Sequence, residues 1–374
     1  MRDTSCLMVA GALAIGAVAV AGAAEVSRTF GSNMVLQSGR TIPVWGTGAS
    51  GERVFVTFAG ASGATTVDAK GAWQVTLPAQ KPCAQGRELK VSASSGDQIL
   101  TGVRVGDVYF VLGDRYVGCP FWCVGSEIKT DLDRYADTNL CWYIYPIARA
   151  VSYPLSNLEP QTENYGFWRS CREKAELSSF AYFWARERAE ATKMPVGVII
   201  CSGGPYDRCD ARKYMSPEAY AATKNDKDKN RPDQYDRTMN PTSANGLATH
   251  QKAADEIRKW ADDAQALPAG MYPATNMAAL PNLERFGNVT TLFNSTMAPF
   301  AKTPVRGAVF YAGYGWGYDA AEIPLAEELK ADMRRIWGQE LEFTRVPVPE
   351  KVEMCDDFPV PCTKPLEIIR ALER

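Results

Sequence analysis

The segment from Val105 to Gly118 constrains the fold of this chain more than any other. Residues Asp107 to Leu112 form a mostly apolar run of strand length that ends at Gly113. A run without polar alternation predicts a strand that is buried on both faces, as in a parallel sheet. Because helical patterns follow this run, the sequence predicts an α/β domain with its ligand site beyond the carboxyl end of the strand.

Two later apolar runs repeat this arrangement. Val196–Ile200 and Ala308–Tyr311 are each followed by a glycine, Gly203 and Gly313, respectively. Apolar residues recur at helical spacing in three segments between or after these runs, which are Ala175–Ala191, Ala248–Gln265 and Leu325–Trp337. Strands that alternate with helices indicate a doubly wound parallel sheet, with Gly113, Gly203 and Gly313 at one edge.

The N-terminal part follows a different pattern, with polar and apolar residues alternating between glycine-rich turns. This period of two predicts short strands at Thr41–Thr47, Arg53–Phe58, Ala72–Leu77 and Glu88–Ser92. Regularly spaced strands of this kind are typical of a small β-sandwich. We therefore predict a β-sandwich over residues 25–103 and the α/β domain over residues 104–374.

Residues 1–24 have the features of a secretory signal peptide. A positive charge at Arg2 precedes the apolar segment Leu7–Val20, and Ala21–Ala23 supplies a cleavage site of small residues. The apolar segment is short for a membrane-spanning helix, which needs about 20 residues. The prediction is a mature protein without a membrane span, secreted or periplasmic.

Composition argues against nucleic acid as a partner. The chain has 41 basic and 43 acidic residues and a net charge of −2, whereas phosphate backbones require a concentrated basic surface. A weakly acidic chain with many aromatic residues is compatible with neutral ligands such as sugars. We expect no cofactor and no metal, since there is a single histidine, His250, and no paired C-x-x-C elements.

The cysteines indicate an oxidising compartment. Loss of the signal peptide with Cys6 would leave nine of the ten cysteines. Spacing suggests four pairs, with Cys83 left over, although it cannot fix the connectivity; these pairs are Cys119–Cys123, Cys141–Cys171, Cys201–Cys209 and Cys355–Cys362.

A series of short blocks occurs in order along most of residues 28–346, at Phe30–Gln37, Ile42–Gly46, Val105–Tyr109, Pro195–Gly204, Phe293–Pro299, Val305–Tyr311 and Asp332–Gln339. Together these blocks resemble the sialate O-acetylesterase family, which consists of secreted carbohydrate esterases with an SGNH-hydrolase catalytic domain. The resemblance implies a flavodoxin-like SGNH domain behind the β-sandwich. It also implies a C-terminal truncation, because the chain ends at Arg374, earlier than is usual in the family.

The chain departs from the family pattern where catalysis would occur. The family's nucleophile block S-G-Q-S-N-M corresponds to Leu112–Val117, so that Arg115 stands at the serine position and Tyr116 at the asparagine. In the block Y-Q-G-E-S-N, Gly313 is retained but Tyr314 replaces the glutamate. The family's final Asp-x-x-His, which supplies the base, has no counterpart, since no histidine follows His250.

These replacements predict that no catalytic set is intact. A serine-type esterase needs a hydroxyl nucleophile, a base and oxyanion donors, and a protonated arginine has no lone pair for attack. The glycines Gly113, Gly203, Gly204 and Gly313 remain as a possible oxyanion or ligand site, and the candidate ligand contacts are Arg115, Tyr314 and Trp316. The predicted function is that of an inactive esterase relative that binds glycans or acts as a surface interaction module.

Two alternatives remain open from the sequence. The first is an active carbohydrate acetylesterase with a relocated nucleophile, for which Ser202 and Ser126 are candidates; His250 fits better as a packed histidine on the apolar face of its helix. The second is a structural protein with a filled cleft. In that case Arg115 is a structural cation paired with a carboxylate, and Tyr314, Trp316 and Tyr318 form an aromatic plug rather than a sugar-stacking surface.

Overall fold

The structure is a computed structural model that describes most of the predicted strands and helices. The described residues are 23–113, 117–118, 140–148, 154–162, 165–171, 177–203, 211–223, 244–265, 289–311 and 325–346, with two short strands at 354–355 and 358–359.

The strands of the N-terminal part are β1 (Glu25–Val26), β2 (Val35–Gln37), β3 (Ile42–Thr47), β4 (Arg53–Phe58), β5 (Ala61–Thr66), β6 (Ala72–Leu77) and β7 (Cys83–Ala93). The long strand β8 (Gly96–Gly113) leads into the second part, which contains β9 (Cys141–Ile144), β10 (Trp168–Ser170), β11 (Val196–Cys201), β12 (Gly307–Tyr311), β13 (Glu342–Val346), β14 (Met354–Cys355) and β15 (Phe358–Pro359). The α-helices are α1 (Ser179–Thr192), α2 (Pro217–Ala222), α3 (Ala244–Gln265) and α4 (Ala326–Trp337). No helix in these described ranges is long and apolar enough to cross a membrane.

The N-terminal strands form two antiparallel layers. Strands β1, β3 and β6 make a three-stranded sheet, while β4, β5, β7 and the first half of β8 pair in the second sheet. The alternation in β4 and β6 turns Val54, Val56, Trp73 and Val75 inward, and all four are buried. The predicted strands at Arg53–Phe58 and Ala72–Leu77 are confirmed with the same bounds.

Strand β8 connects the two parts of the protein without a break. Its first half pairs with β7, and its second half lies between β11 and β12. The pairing with β7 is irregular near Gly102, whose φ of 68° is one that glycine adopts at little cost. The predicted domain boundary at 103/104 lies beside this irregularity, within a continuous strand, and the division into two domains stays a prediction.

The second part is a mixed sheet with a parallel centre. Strand β8 pairs in parallel with β11 on one side and with β12 on the other, and β12 pairs in parallel with β13. The four strands at the centre follow the order β11-β8-β12-β13 across the sheet. Strand β9 and the antiparallel β10 are added outside β11.

Both faces of this sheet are covered, as the apolar runs predict. Along β8, Val108, Phe110 and Leu112 belong to one hydrophobic core, and Tyr109 and Val111 to the other. The first core continues into the N-terminal layers. The second lies under α1, where Trp184 contacts Tyr109 edge to face with ring centroids 6.2 Å apart.

Helix α1 differs from the amphipathic helix predicted over Ala175–Ala191. It begins after Ser178, whose hydroxyl accepts a hydrogen bond from the amide of Ala181 at 3.1 Å. Every residue from Ser179 to Arg186 is buried, so its first two turns have no solvent face. The helix is therefore an interior element, and the charged groups that suggested a polar face are confined to its end.

Four of the described cysteines are free thiols. Cys83, Cys141, Cys171 and Cys201 are all free, so the predicted Cys141–Cys171 and Cys201–Cys209 disulfides are not formed in this structure. Cys201 is buried as the last residue of β11, and Cys209 lies outside the described residues. The Cys119–Cys123 pair and Cys362 also lie outside them, so those two pairings stay predictions.

Candidate functional site

The carboxyl ends of three parallel strands lie side by side. The register places Tyr311 of β12 opposite Gly113 of β8, and Cys201 of β11 opposite Leu112. From β8 the chain continues to β9 and β11 on one side of the sheet, and from β11 it crosses to β12 on the other side of β8. Such a switch point opens a crevice beyond the strand ends, where ligands bind in sheets of this kind.

Gly113 marks the end of the central strand, and its small size is required there. A Cβ at this position would overlap the carbonyl oxygen of Tyr311 and lie 2.5 Å from Cγ2 of Val117. Its own carbonyl oxygen accepts a 2.6 Å hydrogen bond from the hydroxyl of Tyr214. The chain is thus held in place two residues before Arg115.

Tyr214 belongs to a short 3₁₀ turn, Ala211–Tyr214, in which every residue is buried. The same turn carries two basic residues, Arg212 and Lys213, at 2% and 3% exposure. The carbonyl oxygen of Arg212 accepts a hydrogen bond from the amide of Thr290 at 2.8 Å. Two buried basic side chains therefore belong to the element that contacts Gly113, and neither could be identified from the sequence, because their segment has no recognisable motif.

The end of β11 supplies a second wall. Ser202 is buried and Gly203 is partly exposed, directly after the strand. The thiol of Cys201 lies 3.9 Å from the carbonyl oxygens of Ile199 and Thr296, and burial raises its pKa to about 12. Cys201 is therefore protonated at ordinary pH and is not a thiolate nucleophile.

A polar turn packs behind Cys201. Phe293–Met297 forms a π-helical turn, a rare conformation that occurs often at functional sites. Its buried hydroxyls bond back to the preceding turn: Ser295 donates to the carbonyl oxygen of Thr291 at 2.8 Å, and Thr296 to that of Leu292 at 2.5 Å. The sequence identified this block only through its family resemblance, and hydrophobic periodicity gave no sign of a π-helix.

The predicted site residues are only partly located by the structure. It brings Gly113 and Gly203 to the same sheet edge, as expected. His250 lies in helix α3. The other predicted positions lie outside the described residues; these are Arg115, Tyr116, Ser126, Gly204, Gly313, Tyr314, Trp316 and Tyr318. Their roles stay predictions.

The described part of the chain contains no group of three or more His, Cys, Asp or Glu side chains that could hold a metal ion. A cavity of about 470 Å³ lies at the opposite, amino end of the sheet, lined in part by Gln37, Ser38, Arg306 and Glu342. Two of its charged side chains form an ion pair, in which Arg306 contacts Glu342 at 2.6 Å. Because this cavity lies at the amino end of the sheet, it is separate from the crevice at Gly113.

Comparison with known proteins supports the architecture. No protein-family model matches the chain, and no curated protein matches it significantly. A solved structure of a carbohydrate acetylesterase from Xanthomonas citri is similar, with a TM-score of 0.59 and 19% identity over 94% of this chain. The chain spans 65% of the length of that protein. At this identity the likeness shows the fold, which is a mixed α/β fold like that of a carbohydrate esterase.

A second structure, an amylomaltase from Corynebacterium glutamicum, has a TM-score of 0.13 and 10% identity, over 82% of this chain and 47% of that protein. A score this low carries no information about the fold.

Proposed function

We propose that this chain is a secreted, catalytically degenerate relative of the carbohydrate esterases that binds glycans at the carboxyl edge of its parallel sheet. One observation carries the proposal. Gly113 ends the central strand at the switch point, and the residue two positions further is Arg115, where an esterase of this type needs a nucleophile.

The chemistry of ester hydrolysis supports inactivity. Attack on an acyl carbon requires a lone pair on the nucleophile and a base that removes its proton. The arginine guanidinium stays protonated and cannot attack. Backbone donors near Gly203 would leave a residual acceleration of at most about 10³–10⁴ over water.

Three features favour a carbohydrate as the ligand. The fold is like that of a carbohydrate acetylesterase, and the net charge of −2 disfavours nucleic acid. Tyr314 and Trp316 follow Gly313 at a spacing of two, which in an extended loop places their rings on one side for stacking on a sugar. An O-acetylated sialic acid is the substrate to test because of the family resemblance. The proposal that the chain is secreted rests on residues 1–24, which have the features of a signal peptide.

The first test is hydrolysis of p-nitrophenyl acetate and of an O-acetylated sialic acid by the purified chain. An active carbohydrate acetylesterase serves as the positive control, and the expected rate is at most the residual acceleration given above, far below the rate of that control. Arg115→Ser is expected to stay inactive as well, because a new hydroxyl would still lack a histidine base. Turnover by the unmodified chain that exceeds this residual acceleration would overturn the proposal.

The second test is glycan binding, by array screening followed by titration calorimetry. Arg115→Ala and Trp316→Ala are expected to weaken binding at least several-fold. Arg258→Ala is the matched control, because the Arg258 side chain is 69% exposed on α3. If no glycan binds, the alternative of a structural protein with a filled cleft is favoured instead.

A relocated nucleophile remains the second candidate function, and the position of Ser202 favours it. Ser202 directly follows β11 at the same edge as Gly113. Stoichiometric labelling by a fluorophosphonate, abolished by Ser202→Ala but not by Ser38→Ala, would support an active esterase. If no serine is labelled, this candidate is excluded.

A further inference from the structure

Two tyrosine rings meet at the outer end of the sheet edge that carries the crevice. Tyr165 and Tyr145 contact edge to face, with ring centroids 5.4 Å apart and an interplanar angle of 84°. Tyr165 is 37% exposed in this arrangement, one of four large hydrophobic side chains that are exposed in the part of the chain that the structure describes. A ring that is packed on one side and exposed on the other offers a firm apolar surface to a ligand.

The strand order places this pair at the carboxyl edge of the parallel sheet. Strand β9 runs parallel to β11, so Tyr145, directly after β9, lies on the side where β11 ends at Cys201. Strand β10 lies outside β9 and runs antiparallel to it, so the residues that precede β10, Tyr165 among them, reach the same edge. Gly113, Cys201 and the tyrosine pair therefore follow one another along this edge, in the order β8, β11, β9 and β10.

The backbone holds Tyr165 in a defined position. Its carbonyl oxygen accepts a hydrogen bond from the amide of Thr162 at 3.1 Å. The amide of the next residue, Gly166, donates to the carbonyl oxygen of Tyr145 at 2.9 Å. Because the chain is fixed on both sides of the Tyr165 side chain, a ligand that stacks on this ring has little ordering of the protein to bring about.

A phenyl ring and a guanidinium lie beside the tyrosines. One step beyond the register of β9 and β10, Phe167 stands opposite Tyr145, and directly opposed residues share one face of a sheet. The guanidinium of Arg169 packs over the Phe167 ring, 4.2 Å from its centroid. We call Tyr145, Tyr165, Phe167 and Arg169 the aromatic strip.

The chemistry of the aromatic strip suits a carbohydrate. Sugar rings present C–H faces that pack on aromatic rings, and their hydroxyls bond to phenol and guanidinium groups. Neighbouring strands are about 4.8 Å apart, so β10, the third strand from β8, lies about 14 Å from Gly113. A single sugar in the crevice is too short to reach Tyr165. A ligand that contacts both must therefore contain several sugar units.

We propose that the aromatic strip is a subsite for the distal units of an oligosaccharide whose first unit lies in the crevice at Gly113. This inference rests on the proposed glycan binding and adds the class of ligand, which is an oligosaccharide and not a single sugar. The strip gives the longer ligand a stacking contact that a monosaccharide does not make.

Titration calorimetry of the full chain with sugars of matched type and different length tests this inference. The probes are N-acetylneuraminic acid with sialyllactose, and N-acetylglucosamine with its linear tetramer. We expect the longer member of a pair to bind about 5–20-fold more tightly than the shorter. Tyr165→Ala should remove this difference and leave the affinity for the monosaccharide unchanged, whereas Tyr165→Phe should retain it, because the ring is kept.

Phe55→Ala is the matched control. Phe55 is also an exposed ring, at 46%, and also lies beside an arginine, Arg53, but it belongs to β4 in the N-terminal layers. Its removal should change neither affinity.

Three results would count against the inference. Equal affinities of the unmodified chain for the short and long sugars would overturn it, whatever the variants do. A length dependence that survives Tyr165→Ala would overturn it as well, and both results leave glycan binding in the crevice intact. Absence of binding by every probe would instead contradict the proposed glycan binding itself, and the subsite with it.

Discussion

The hydroxyl of Tyr214 donates a hydrogen bond of 2.6 Å to the carbonyl oxygen of Gly113, joining residues 101 positions apart. This contact ties the 3₁₀ turn to the end of the central strand. It fixes the backbone immediately before the segment that begins at Asp114 and carries Arg115. The frame of the crevice thus depends on a polar contact that no local sequence pattern indicates.

Tyr214→Phe is expected to lower the free energy of unfolding by about 1–3 kcal/mol, because it removes one partner of a buried hydrogen bond. The ring stays in place against Phe310, with centroids 5.8 Å apart, so the packing loss is small. Urea denaturation followed by tryptophan fluorescence measures the change. An unchanged midpoint would mean that the Gly113 carbonyl finds another partner.

Gly113→Ala is expected to destabilise the protein by about 1–3 kcal/mol through overpacking. The added methyl would overlap the Tyr311 carbonyl oxygen and crowd Val117. Gly31→Ala is the control, because a Cβ there would meet Trp168 at an ordinary distance of 3.5 Å. The free energy of unfolding of Gly31→Ala should stay within about 0.5 kcal/mol of that of the unmodified chain. Equal effects of the two variants would contradict the steric argument.

Hydrophobic periodicity was sufficient to predict three strands of the parallel sheet, β8, β11 and β12, and the three longest helices. The buried runs at β8, β11 and β12 are confirmed as parallel strands, since a strand covered on both faces needs apolar residues at every position. Helices α3 and α4 begin within four residues of their predicted starts. These elements depend on patterns that are local to each segment.

Elements without an apolar pattern could not be predicted in this way. Strand β5, with the sequence Ala-Ser-Gly-Ala-Thr-Thr, has no large apolar residue and forms as an edge strand through its pairing with β4. The π-helical turn and the Tyr214–Gly113 contact likewise depend on tertiary partners. Most of the catalytic positions identified by resemblance lie outside the described residues, so the sequence remains the basis for their roles.

Asp332→Ala is expected to cost about 1–3 kcal/mol, because the buried Asp332 carboxylate accepts the hydrogen bonds of buried donors that would lose their partner. Its carboxylate accepts from the amide of Ser216 at 2.7 Å and from its hydroxyl at 3.0 Å, and pairs with Arg335 at 2.7 Å. Loss of the carboxylate leaves the donors at the start of α2 unsatisfied.

Asp255→Ala on α3 is the matched control for this variant. Asp255 also pairs with an arginine three residues later, Arg258, at 2.8 Å, but both side chains are exposed. Exposed pairs of this kind contribute about 0–1 kcal/mol. Chemical denaturation of both variants measures the difference, and similar losses would show that burial of the Asp332 network has no energetic importance.

The buried tyrosines Tyr109 and Tyr182 predict a loss of stability at alkaline pH. Burial raises the pKa of each to about 12 from an ordinary value of 10. In the unfolded chain these phenols lose their protons near pH 10, whereas the folded protein keeps them neutral. The contribution of these two tyrosines to the free energy of unfolding is fully present below pH 10. It is lost as the pH rises from about 10 to about 12, by an amount on the order of 2 kcal/mol for each tyrosine.

Thermal unfolding between pH 8 and pH 12 tests this prediction. The melting temperature of the unmodified chain should fall above pH 10. That of Tyr109→Phe should fall less steeply, because the phenylalanine side chain has no proton to lose. Tyr109 contacts the Trp184 ring edge to face, a packing that phenylalanine retains. If Tyr109→Phe and the unmodified chain lose stability in parallel over this range, Tyr109 ionises alike in the folded and unfolded states, and its burial does not set the alkaline limit.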